Sequence, residues 1–312
     1  MNEEHGKSYL TLLIESCANS IPLKTAIVHP VHGNCIEVAS EALSRNLIDP
    51  VLIGPKTRIL EAAASVNIDI SAWQIIDVEH SHAAAKKASD MAGSHEVKAI
   101  MKGSLHTDEV LHAIILNSAL RTERRLSHAY VFETSAYSKP FIVSDSAVNI
   151  APGLEEKVDI CQNAINLWRA LNGDRICKLA ILSTVETVNA HIPSTIDAAA
   201  LCKMAERGQI TGAIIDGPLA FDNAASRSAA DEKGIVSRVS GDADIFIAPN
   251  LEAANMFSKE LIYWGGAEAA GIVLGSRVPI ILTSRADSNI TKLASCALAV
   301  KLSQARETGL IK

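Results

Sequence analysis

Reactive side chains are densest just after the apolar run 279–282, in Thr283-Ser284-Arg285-Ala286-Asp287-Ser288. Ser284, Arg285 and Asp287 bring a hydroxyl, a guanidinium and a carboxylate within four residues. That set suits exchange of an acyl group onto a small anion, because a guanidinium orients an oxyanion and a hydroxyl can donate to one. It is not a metal cage. A second candidate is Lys102-Gly103-Ser104-Leu105-His106-Thr107-Asp108, where glycine admits close backbone approach and Thr107 or Asp108 can cap a following helix, a favourable place for an anion. A third, residues 143–149, holds Asp145, Ser146 and Asn149, and reads equally as a hinge held by side-chain-to-backbone bonds. A fourth, Asp216-Gly217-Pro218, is an emphatic turn signal. Asn250 and Asn255 flank a helix start, where Asn250 fits a cap as well as a ligand. Arg121-Thr122-Glu123-Arg124-Arg125 is the densest positive cluster: unremarkable on a solvated face, phosphate-binding if it overhangs a cleft.

The elements that must position these groups alternate between short apolar runs and helical patterns. Strand-like segments fall at 25–29, 50–53, 99–101, 129–132, 141–143, 179–183, 212–215, 245–248, 271–274 and 279–282, with helical spacing at 35–45, 109–117, 154–171, 195–207 and 290–304. Repeated β-then-α with Gly, Pro and Asp punctuation predicts an α/β fold with mostly parallel sheets covered by helices. Ligands gather at the carboxyl ends of such strands, where the polar junctions lie. A polar, proline-containing stretch at 143–153 marks an expected boundary. If the last strand and helix return to the first sheet, the first domain is discontinuous, 1–143 plus 270–312, and the second is 144–269.

Several chemistries lack their signatures. Residues 265–271, Gly-Gly-Ala-Glu-Ala-Ala-Gly, mimic a dinucleotide fingerprint but precede a strand-like run instead of leading from a strand into a helix. No Gly-x4-Gly-Lys-Ser/Thr loop and no Gly-x-Ser-x-Gly elbow occurs. The paired histidines His29/His32 and His80/His82 have no ligand-like cysteines or helical His-Glu-x-x-His setting, so no metal is expected.

With 29 basic and 35 acidic residues and no long Lys/Arg run, a nucleic-acid partner is not expected. No apolar stretch reaches the roughly 18–20 residues of a membrane span, and the polar N-terminus does not read as a signal peptide. Six cysteines, Cys17, Cys35, Cys161, Cys177, Cys202 and Cys296, are scattered singly, as in a reducing compartment; a cytoplasmic protein is the expectation.

Taken together, six blocks resemble the phosphate acetyltransferase/phosphate butyryltransferase family, in its order, from about residue 25 to the C-terminus. They are residues 102–108, 145–149, 216–221, 249–255, 265–271 and 279–285. Leu282-Thr-Ser-Arg-Ala-Asp-Ser288 and Arg121-Thr-Glu-Arg-Arg-Leu-Ser127 look more like the butyryl-type branch. The resemblance implies acyl-CoA + phosphate = acyl phosphate + CoA, without a covalent enzyme intermediate. Coenzyme A is then a substrate and no cofactor is needed. It also implies two three-layer α/β domains of the isocitrate/isopropylmalate dehydrogenase type, a cleft between them, and a homodimer or higher homo-oligomer.

By position, Ser284 and Arg285 fall on the family's catalytic Ser-Arg pair, and Arg121 near a substrate-binding arginine. Lys102, Gly103, Ser104, His106, Thr107, Asp145, Ser146, Asn149, Asp216, Asn250 and Asn255 are the remaining expected substrate contacts. The acetyl-type enzymes carry a catalytic aspartate seven residues beyond the serine, where this chain has Thr291; Asp287 is the candidate base instead. The acetyl-type active-site cysteine is here Ser146. Two other readings fit the same architecture: a metal- and NAD-dependent decarboxylating dehydrogenase, and a non-enzymatic acyl-CoA or phosphate-binding module.

Overall fold

A computed structural model describes residues 7–284 and 287–311. Arg285, one of the expected catalytic residues, lies outside the described residues. In chain order the first run of elements is α1 (Tyr9–Glu15), β1 (Leu23–Val28), α2 (Gly33–Ser44), β2 (Ile48–Gly54), α3 (Lys56–Ser65), β3 (Gln74–Asp77), α4 (Ser81–Gly93), β4 (Ala99–Lys102) and α5 (Thr107–Leu116). The second is β5 (Ser127–Glu133), β6 (Phe141–Ser144), α6 (Leu154–Asn172), β7 (Cys177–Leu182), α7 (Pro193–Glu206), β8 (Ala213–Leu219), α8 (Phe221–Ala225), α9 (Arg227–Glu232), β9 (Ile245–Ile247), α10 (Leu251–Tyr263) and β10 (Glu268–Leu274). β11 (Ile280–Ile281) and α11 (Asn289–Glu307) follow.

The chain forms two compact units, the first ending at residue 123 and resuming at 270–304, the second comprising 124–269 and the chain after 304. The first unit therefore ends twenty residues before the boundary expected at 143. The reason is strand pairing: β5 pairs antiparallel with β6, and β6 runs parallel to β9, so both belong with the later strands.

In the first unit the strands run in the order β3-β2-β1-β4-β11-β10, parallel except for the β10–β11 pair. β1 and β2 are buried at nearly every position. Strands covered on both faces need apolar residues on both, which is why these read as continuous Val/Ile/Leu runs rather than alternating ones. Register decides where the polar groups go. Val28 pairs with Lys102, and Ile281 with Met101, so the carboxyl ends of β1, β4 and β11 lie side by side. The loops leaving those three strands must share one edge of the sheet.

The second unit has the order β5-β6-β9-β7-β8. Its core packs Phe132, Phe141, Val143, Leu219 and Phe246 together, with Phe141 and Phe246 edge to face at 5.4 Å between ring centroids. The 265–271 stretch does not form a ligand loop ahead of a strand. Gly265 and Gly266 make the turn out of α10, Gly266 with φ 59, and β10 already begins at Glu268. Of the described helices, none is long and apolar enough to cross a membrane.

Candidate active site

At the end of β4 the chain turns directly against β1. Gly103 donates its N–H to Val28 O at 3.0 Å, and a Cβ on Gly103 would lie 2.4 Å from that oxygen and 3.0 Å from His29 O. Only glycine permits this approach. The turn brings Ser104 N onto His29 O at 3.0 Å and places His29 Nδ1 3.2 Å from Ser104 O. His29 itself holds a left-handed backbone, φ 55, and burial lowers its pKa against the opposing pull of the Ser104 carbonyl. Ser104 Oγ is 3.4 Å from Cys35 Sγ on the first turn of α2. Lys102 Nζ donates to Leu105 O at 3.2 Å. His106 and Thr107 begin α5: His106 N donates to Glu109 Oε1 at 3.3 Å, so this stretch is a helix start as well as a polar loop.

At the end of β11, Thr283 is buried and Ser284 is exposed. Asp287 closes the loop on itself: Oδ2 accepts from Ser284 N at 2.6 Å, and Asp287 N donates to Ser284 O at 3.3 Å. Ser288 Oγ accepts from Thr291 N at 3.2 Å. The two loops, about 180 residues apart in sequence, meet in one pocket of the first unit. It is lined by Asn34 and Cys35 from α2, Lys102 at the end of β4 and Gly103 after it, Thr283 and Ser284 after β11, and Lys292 from α11, over an apolar floor that includes Ile27 and Met101. About 360 Å³ of empty space, open solvent included, lies among these residues.

Of the expected residues, Lys102, Gly103 and Ser284 line this pocket; Ser104 adjoins it through Cys35. Arg121 is exposed, and its Nε and Nη2 both donate to Ile115 O at 3.0 Å. Thr283, from the same cluster as Ser284, lines it too, and Asn34, Cys35 and Lys292 do so without having been anticipated. For Lys292 a signal existed: it is the one charged residue in the otherwise apolar and small stretch 293–300 and its preceding turn.

In the second unit Asp145, Ser146, Asn149 and Asn255 form a hydrogen-bonded cluster. Asp145 is buried, and its Oδ1 accepts from the N–H groups of His128, Ala147 and Val148 at 3.0, 3.0 and 3.1 Å. Its Oδ2 accepts from Asn149 N at 2.9 Å and Asn149 Nδ2 at 2.5 Å. Asn255 Nδ2 donates to Ser146 O at 3.0 Å, and Ser146 Oγ lies 3.2 Å from Ser258 Oγ. Beside them His128 is buried, its pKa lowered to about 4 by desolvation against the attraction of Asp145. Asn250 caps α10, with Oδ1 accepting from Ala253 N at 2.9 Å. Asp216 Oδ1 accepts from Gly217 N at 2.9 Å. Among the described residues no group of three or more His, Cys, Asp or Glu is arranged to hold a metal ion.

A family model described as phosphate acetyl/butaryl transferase matches residues 83–300. The phosphate acetyltransferase of Rickettsia felis is 53% identical over 95% of this chain and 85% of its own length. The phosphate butyryltransferase of Clostridium acetobutylicum is 38% identical over 88% of this chain and 92% of its own. Among solved structures, a branched-chain phosphotransacylase from Enterococcus faecalis superposes with a TM-score of 0.77 at 26% identity, covering 90% of this chain and 99% of that one. The chain belongs to the phosphate acetyl/butaryl transferase family.

Proposed function

We propose that this protein catalyses reversible transfer of a short acyl group between coenzyme A and inorganic phosphate, with acetyl the preferred group. Family membership supports the reaction, and the 53% identity to an acetyltransferase against 38% to a butyryltransferase supports the shorter acyl chain. That revises the butyryl-type preference drawn from residues 121–127 and 282–288. The observation that carries the reading is the meeting of the β4 and β11 loops in one pocket with Lys102 and Ser284.

In this mechanism monohydrogen phosphate attacks the thioester carbonyl, and Ser284 donates to the oxyanion that forms. The tetrahedral adduct expels the thiolate, and the proton carried in by phosphate ends on sulfur, so atoms and charge balance without a separate base. Asp287 is accordingly assigned to positioning: its 2.6 Å bond to Ser284 N holds the turn that presents the hydroxyl. Arg285 and Arg121 are assigned to phosphate, as planar donors matched to its oxygens. The His106, Thr107, Asp145, Ser146, Asn149, Asp216, Asn250 and Asn255 positions remain proposed substrate-side elements, acting through the loops they shape.

Phosphate-dependent thiol release from acetyl-, propionyl- and butyryl-CoA tests the reading. Ser284→Ala should lose roughly 10²- to 10³-fold in kcat, the usual loss for one oxyanion donor. Binding of acyl-CoA without phosphate-dependent thiol release would favour the binding-module reading. We further propose a cytoplasmic homodimer, supported by the family resemblance and six free cysteines, to be checked by light scattering.

A further inference from the structure

Lys292 is 7% exposed, a rare state for a lysine. Among the described residues no carboxylate pairs with it and no acceptor takes its hydrogen bonds. It nonetheless lines the pocket with Lys102, Ser284 and Thr283, and no described lining residue is acidic. Two lysines, two hydroxyls, an asparagine and a thiol surround the space, a donor-rich lining suited to an anion.

We propose that Lys292 is a phosphate-binding residue, its ammonium acting with that of Lys102 to seat the phosphate dianion, or the phosphoryl end of the acyl phosphate, beside Ser284. This rests on the acyl-transfer reading for its catalytic meaning, though not for the binding site itself. Phosphate is charged throughout the reaction, whereas the thiolate of coenzyme A is charged only after bond cleavage. A lysine buried in the resting protein therefore matches phosphate. Lys292 stands in the first turns of α11, the end at which the helix dipole favours an anion.

Steady-state kinetics and direct binding test this on the full-length protein. Lys292→Met keeps the volume and removes the charge. It should raise the KM for phosphate roughly 10- to 100-fold, the worth of one charge-assisted hydrogen bond, and leave the KM for acyl-CoA unchanged. Lys292→Arg should restore part of the loss. In wild-type protein without acyl-CoA, inorganic phosphate should protect Lys292 from reductive methylation, read by peptide mass spectrometry, so the test survives a poorly folding variant.

Unchanged phosphate KM in Lys292→Met, or equal labelling of Lys292 with and without phosphate, overturns the proposal while leaving acyl transfer standing. A rise confined to the KM for acyl-CoA also overturns it. Protection by phosphate in a protein that releases no thiol from any acyl-CoA supports the seat and removes the acyl-transfer reading instead.

Discussion

Asp145→Asn isolates what the buried carboxylate of the second unit does. Asp145 accepts five hydrogen bonds, three on Oδ1 and two on Oδ2. An asparagine has one carbonyl oxygen. Placed where Oδ1 is, it keeps the bonds from His128, Ala147 and Val148 but turns its NH2 toward Asn149 N and Nδ2. Asn149 Nδ2 still has Leu126 O at 2.8 Å, so the chief casualties are the Asn149 backbone N–H and the new amide itself. Leaving buried donors unmet costs about 1–3 kcal/mol each, and losing the charge weakens the surviving bonds. The total is about 3–5 kcal/mol. For a unit of this size that lowers Tm on the order of 10 °C. Differential scanning calorimetry and urea denaturation at pH 7 measure it. A loss below about 1 kcal/mol would refute the reasoning. It would mean the carboxylate is spare, and would return Asp145 to direct substrate contact.

Other consequences can be measured with the same preparations. The pKa of His128 is lowered to about 4, below its unfolded value of 6.5, so its contribution is intact above 6.5 and is lost as pH falls towards 4. Between pH 7 and 5 this removes about 2 kcal/mol of stability, and His128→Gln should flatten that part of the urea-derived profile; identical profiles would contradict it. Thiol labelling should be selective. Burial pushes Cys177, Cys202 and Cys296 up to about 12 and raises Cys17 and Cys161 as well, whereas Cys35 is part-exposed on the pocket. A disulfide reagent should find one fast thiol, slowed by phosphate and absent in Cys35→Ser; a fast thiol persisting in that variant would argue against the pocket.

The parallel strands were legible because burial on both faces demands unbroken apolar runs, as in β1, β2 and β7. β3 was not: Gln74-Ile-Ile-Asp77 is an edge strand with exposed ends, too short to show a period. The helix α4 also escaped notice, since Ala84, Ala85, Ala88 and Ala92 form a buried face of small residues with little contrast in hydropathy. The unit boundary was misplaced because a proline-containing loop after β6 is visible in sequence, whereas the pairing of β6 with β9, a hundred residues later, is not. Site residues followed the same division. Gly103 and Ser284 stand in local motifs, whereas Lys292 offers only a lone charge beside an apolar stretch. A single lysine near a helix start reads as solvated until packing shows it buried.

The most direct test of the central claim is thiol release from acetyl-CoA by the purified protein, with and without inorganic phosphate, accompanied by trapping of acetyl phosphate with hydroxylamine. The account predicts release that saturates with phosphate, with one acetyl phosphate formed per thiol and near-complete loss in Ser284→Ala. Thiol release that is independent of phosphate, or phosphate-dependent release undiminished in Ser284→Ala, would contradict it.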